Sequence, residues 1–175
     1  MKILQVLNSL NWSASSAYCI NVSYELIKLG HEVLIMTEPG FALDHIKEMG
    51  IPYNDGLSID KYNLLSYLDA IKLLKKTYKS FKPDIVSAHV NKNAWMPAFV
   101  AKLAFPQAVV VRVRTDIAAP NRHLLNLLVH HKWTDHIICG SKLHKDICCR
   151  NLFLSPDKIS IIYGSVDVVI GRAHV

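Results

Sequence analysis

Three polar stretches interrupt an otherwise apolar chain, and each carries side chains suited to a hydroxyl or an anion. The first is NWSASSA, residues 11–17. It lies between an apolar run and a helical pattern, so backbone N–H groups and the helix dipole there favour an anionic group. Ser13, Ala14, Ser15 and Ser16 are small enough for a ligand to approach the backbone, and the serines add hydroxyl donors. None is glycine, so a positive φ is costly and the turn must differ from a glycine loop. The plainer alternative is a serine N-cap and nothing more.

The second stretch is VSAHVNKNAW, residues 86–95. His89 closes an apolar run and is a candidate to donate to a sugar or phosphate, or to act as a base. Asn91 follows as a polar neighbour. The alternative is a core histidine bonded to a backbone carbonyl. The third stretch is VVVRVRTDIAAPN, residues 109–121. Arg112 and Arg114 alternate along a strand, so both face one side. Guanidinium groups leaving a buried strand are costly without an anion. Arg114 is the candidate to stabilise charge in a reaction, with Arg112, Thr115 and Asp116 as binding groups. An Arg114–Asp116 pair would instead be structural.

Strand–helix alternation must position these groups. Apolar runs predict strands at 2–7, 31–36, 83–89, 108–114, 135–140 and 158–164, with a weaker one at 51–54. Helical patterns fill 17–29, 42–50, 60–81, 93–105, 121–133 and 141–152. Gly30 is a natural stop for the first helix, and Ser141 a natural N-cap for the last. In the long helix, Leu64, Leu65, Leu68, Ile71 and Leu74 recur near the helical period. This order predicts a doubly wound α/β fold: a parallel, Rossmann-like sheet of about seven strands with helices on both faces. Ligands of such sheets sit outside the carboxyl ends of the strands. All three polar stretches fall there, as does Ser141.

Composition narrows the partners. The 175 residues are 51% hydrophobic and carry a formal charge of +6. That excludes disorder and allows an anionic partner. No apolar run is long enough to span a bilayer, and the N-terminus lacks a signal-peptide pattern. Cys19, Cys139, Cys148 and Cys149 give no disulfide framework, so reduced thiols in a cytoplasmic protein are expected. The histidines and cysteines have no zinc-site spacing, and no metal is expected. The run KLLKKTYKSFK at 72–82 is a basic helical face. A solvated surface is the default, and peripheral contact with an anionic membrane the sharper alternative. No nucleic-acid motif is present.

Taken in order, MKILQVLNSLNW, PDIVSAHVNK, VVVRVRTDIAAPN, DHIICGSKLHKD and KISIIYGSVDV resemble the N-terminal domain of group 1 glycosyltransferases. These are family-4-like, retaining, two-domain GT-B enzymes. The resemblance implies that residues 1–168 form the acceptor-side Rossmann-like domain, and that 169–175 are a tail where a second domain would begin. That absent domain would bind the nucleotide-sugar co-substrate. The expected acceptor is a glycan, a lipid-linked sugar or a cell-envelope polymer, and no cofactor or metal is needed. Ser13–Ser16 lie at the family's Gly-rich loop and His89 at its strand-end histidine motif. Ser87 stands where that motif has its first histidine, and Thr115 where members have another. Arg122 falls near an arginine that some members use at the acceptor site. The expected location is cytoplasmic, with peripheral contact on the inner membrane face.

Two other readings stand beside this one. A Rossmann oxidoreductase would use Glu38 at the end of the second strand, but G-x-G-x-x-G is missing after the first. A non-catalytic binding or regulatory module could be built on a degenerate transferase half. The transferase reading predicts that full-length activity survives EDTA, because no Asp-x-Asp motif is present to hold a divalent ion on a diphosphate. Loss of activity on chelation, restored by manganese or magnesium, would contradict it.

Overall fold

The computed structural model describes residues 1–7, 12–59, 64–90, 93, 95–115 and 119–164. The apolar runs form seven strands: β1 (Lys2–Leu7), β2 (Glu32–Met36), β3 (Tyr53–Asn54), β4 (Ile85–His89), β5 (Val109–Arg114), β6 (His136–Cys139) and β7 (Ile159–Ile161). Six helices separate them: α1 (Ala14–Lys28), α2 (Phe41–Glu48), α3 (Leu64–Phe81), α4 (Trp95–Ala104), α5 (Leu124–Leu128) and α6 (Lys142–Leu152). The strands make one all-parallel sheet in the order β3-β2-β1-β4-β5-β6-β7. The fold is the doubly wound Rossmann-like sheet the sequence predicts.

The order reverses between β1 and β4. The chain winds outward from β1 to β3, crosses back to β4 through α3, then winds the other way. Right-handed crossovers therefore put α1 and α2 on one face and α3 to α6 on the other. Register makes the division concrete. Leu4 pairs with Val86 and Val6 with Ala88, and these four share a core with Leu74 and Tyr78 of α3 and Met96 and Val100 of α4. Leu7 and Ile35 face the other way, against Cys19 and Ile20 of α1 and Ile46 of α2.

Helix ends follow local chemistry. Ser13 is the N-cap of α1, its Oγ accepting from the Ser16 amide at 3.2 Å, so the helix starts three residues before the predicted Ala17. Gly30, at φ 83°, ends it, as the sequence predicts. The predicted helix over 121–133 is shorter and mixed: α5 gives way to a π-helical turn at Val129–Trp133. Helix α3 forms, and Ile71 and Leu74 of the predicted stripe pack on the core, but its first three leucines do not. Ala70, Leu74, Thr77 and Tyr78 are buried, whereas Leu64 and Leu65 are about three-quarters exposed (73% and 74%) and Leu68 is exposed too. Residues 60–63 of the predicted helix and all of 165–175 lie outside the described residues.

Leu4 has no exposed surface and sits in the centre of the larger core. Leu4→Ala should lower unfolding free energy by about 2–5 kcal/mol, measured by urea denaturation. A loss under about 1 kcal/mol would mean that β1 is not central to the core.

Candidate active site

The β1/β4 switch point places His89 at the carboxyl end of the sheet, paired in register with Leu7. Its ring is buried. His89 Nε2 lies 2.8 Å from Gln5 Oε1 and 3.1 Å from Ser87 Oγ. An amide oxygen only accepts, so Nε2 carries the proton. Nδ1 is left as a bare lone pair, buried and with no hydrogen-bond partner. Burial lowers the ring's pKa from 6.5 to about 3. At neutral pH His89 is thus an uncharged acceptor, and it has no second N–H to donate. Of the two chemistries the sequence allows, donation to a ligand is disfavoured and acceptance is favoured.

The first turn of α1 stands beside it. Ser15 Oγ donates to the His89 carbonyl at 3.4 Å, and the Tyr18 ring lies 6.1 Å from the imidazole between centroids. Ser13 Oγ also lies 3.0 Å from Ser16 Oγ. The hydroxyls are thus largely engaged within the protein: Ser13 as cap, Ser15 tying α1 to β4, Ser16 fully buried. Ala14 is exposed at the helix start. The N-cap reading of Ser13 holds, and the small residues also let α1 approach β4 closely.

The arginines occupy the other face. Arg112 pairs with Ala88 on one side and Ile137 on the other, and Arg114 with Cys139, so both project toward α3–α6. They share a side, as alternation predicts. Both are almost fully buried, at 3% and 6% exposed, deeper than an open sheet mouth would leave them. Arg112 Nη2 donates to the Val90 carbonyl at 3.4 Å, which brings this guanidinium to the end of β4. Thr115 follows β5, half-buried. Ser141 caps α6 by accepting from the His144 amide at 3.2 Å, while Gly140 donates to the Arg114 carbonyl at 3.2 Å. Asn91 and Asp116 lie outside the described residues.

Arg122 is not brought to this group. Its guanidinium lies 3.3 Å from Asn151 Oδ1 and sits over the Phe153 ring, at the far end of α6. Gln5 is the residue sequence reasoning missed as a site candidate. Its one signal is a polar side chain inside an apolar strand. No group of three or more potential metal ligands occurs among the described residues.

This arrangement can be set beside known proteins. The family model described as Glycosyltransferase Family 4 matches residues 15–169, which include both faces of the site. The chain belongs to that family. A curated relative in Escherichia coli, UDP-Gal:alpha-D-GlcNAc-diphosphoundecaprenol alpha-1,3-galactosyltransferase, is 31% identical over 114 residues. The match covers 61% of this chain and 28% of that protein. A Rickettsia africae glycosyltransferase structure superposes with TM-score 0.82 at 21% identity, covering 99% of this chain and 46% of that one. Anabaena HepE, solved in complex with UDP and glucose, gives TM-score 0.76 at 17% identity over 97% and 46% of the two chains. The chain therefore spans under half the length of these proteins, and the structural likeness is one of fold.

The buried imidazoles of His89 and His130 make stability depend on pH. Burial lowers both from 6.5 to about 3, His130 also through the charges of Arg112 and Arg114. The unfolded chain therefore binds protons first as pH falls. Stability is complete above the unfolded pKa and is lost between about 6.5 and 3. Each histidine should cost about 2 kcal/mol by about pH 5, from roughly 1.4 kcal/mol per unit. Denaturation from about pH 7 to 5 should show this slope, and His89→Gln should reduce it. A flat profile would mean that neither ring is held neutral.

Proposed function

We propose that this chain is the acceptor-side half of a glycosyltransferase. The enzyme moves a sugar from a nucleotide-sugar to a glycan, lipid-linked or cell-envelope acceptor. Residues 1–168 form this half, and a second domain supplies most of the donor site. The observation that carries the reading is the bare, buried Nδ1 of His89 at the switch point, where doubly wound sheets bind ligands. Family membership supports the reaction class.

In this reading His89 accepts a hydrogen bond from a sugar hydroxyl and fixes its orientation. Gln5 and Ser87 hold the ring, and the start of α1 closes the side of the crevice. Arg114, with Arg112, stabilises negative charge growing on the departing nucleotide diphosphate. Thr115 and Ser141 complete the rim beyond β5 and β6, while Asn91 and Asp116 remain binding candidates on sequence grounds.

The acceptor side is read as working at a membrane from the cytoplasm. The curated relative is named for a diphosphoundecaprenol-linked sugar. Helix α3 supports such contact: exposed Leu64, Leu65 and Leu68 are followed by exposed Lys72, Lys75, Lys76 and Lys79. Lysines near an anionic surface contribute about 1 kcal/mol each. No described helix is long and apolar enough to cross a membrane.

A non-catalytic module is the second reading, favoured by Ser87 and Thr115 standing where the resemblance expects histidines. Substitution in the full-length protein separates the two. His89→Gln keeps a group toward Gln5 but removes the Nδ1 acceptor. It should cut turnover at least ~10-fold, about 1.4 kcal/mol of barrier, with the melting temperature nearly unchanged. Arg114→Ala should do the same. Normal turnover in both would remove this cluster from the active site. A full-length wild-type protein inactive with every nucleotide-sugar would favour the binding module.

A further inference from the structure

The arginine face has a component that neither the sequence patterns nor the proposed reaction uses. His130 stands second in the π-helical turn that follows α5 and has no exposed surface. Its Nδ1 lies 2.7 Å from the Asn126 carbonyl oxygen. A carbonyl can only accept, so Nδ1 bears the proton and Nε2 keeps its lone pair. That Nε2 is buried and has no hydrogen-bond partner. A buried acceptor left open in this way calls for an explanation.

Packing says what surrounds it. Val129, its chain neighbour, shares the core with Val110, two residues before Arg112 on the same face of β5. Leu127 of α5 packs against the cluster that contains Ile137 and Cys139, the residues paired with Arg112 and Arg114, together with Cys148 and Leu152 of α6. The segment bearing His130 packs beside α4 on the face of the sheet from which both guanidinium groups project. Burial keeps the ring neutral, and the charges of both arginines act on it in the same direction. Helix irregularities of the π type concentrate at functional sites.

We propose that His130 is a positioning residue for the Arg112–Arg114 pair, its Nε2 lone pair serving as the acceptor that takes a guanidinium N–H when the arginines turn their other edges to an anion. A charged histidine would repel the pair, and an apolar residue would leave that N–H without a partner. The neutral ring fills space, adds no third charge and keeps the donors that face the strand ends directed. Its occupant is an arginine of this chain, because the charges of both guanidinium groups already act on the ring. The inference rests on the reading of the arginines as an anion site.

The test measures inorganic pyrophosphate binding to this chain by calorimetry at low salt, with thermal unfolding in parallel. The set is wild type, Arg114→Ala, His130→Phe and His130→Gln. Phenylalanine keeps the volume and removes the acceptor, whereas glutamine restores an oxygen near the place of Nε2. Positioning predicts about tenfold weaker binding for His130→Phe, recovery to within about threefold for His130→Gln, and similar melting temperatures for both. Wild-type affinity in His130→Phe, with binding lost in Arg114→Ala, overturns the role of His130 and leaves the arginine reading standing. Absent pyrophosphate binding in wild type, or binding that Arg114→Ala does not weaken, overturns both. Equal weakening in His130→Phe and His130→Gln, matched by equal loss of melting temperature, makes His130 structural and also overturns the proposal.

Discussion

The hydrogen bond between Gln5 and His89 is the constraint on which the rest of the site depends. It joins the two strands between which the sheet order reverses, across 84 residues of chain. Without it, the buried Gln5 carbonyl oxygen would lose its imidazole partner and His89 would keep only Ser87, a costly exchange in the apolar interior. With it, the imidazole is fixed as one tautomer with its free lone pair at Nδ1. The helix on that side is tied to the same residue through Ser15. The ring's tautomer is therefore set across the β1–β4 pair, and α1 is tied to the same residue through its backbone.

The sheet separates two kinds of chemistry. On the α1 face stands a neutral acceptor with small residues around it. On the opposite face stand two guanidinium groups and a second neutral histidine. At the carboxyl end of β4, Arg112 reaches the carbonyl one residue beyond His89. A reaction needing both a held hydroxyl and a stabilised anion finds its components at that edge. The buried thiols stand apart: desolvation pushes Cys19 up to about 12, which leaves it unreactive at neutral pH.

Much of this was legible in the residues. Apolar runs locate β1, β2 and β4 to β7 because a parallel sheet covered on both faces needs continuous apolar sequence, whereas β3 is a two-residue edge strand with a weaker signal. Gly30, Ser13 and Ser141 mark helix ends because their roles are local. What sequence reasoning could not reach depends on contacts between distant segments. Gln5 is a single polar residue whose meaning comes from His89. Helix α3 carries leucines on its outer side because Tyr67, Ala70, Leu74 and Tyr78 fill the inner one. Periodicity gives the helix, and only packing chooses its face. Arg112 and Arg114 share a side by simple alternation, yet their depth follows from the cover that α3–α6 supply. Arg122 lies beside Asn151 and Phe153, a placement set by tertiary packing.

Nitrogen NMR of ring-labelled histidine in this chain tests the central claim most directly. His89 should carry its proton on Nε2, with Nδ1 bare, and its signal should not move as pH falls from about 7 to about 5. A proton on Nδ1, or a titration midpoint near the ordinary histidine value of about 6.5, would contradict it.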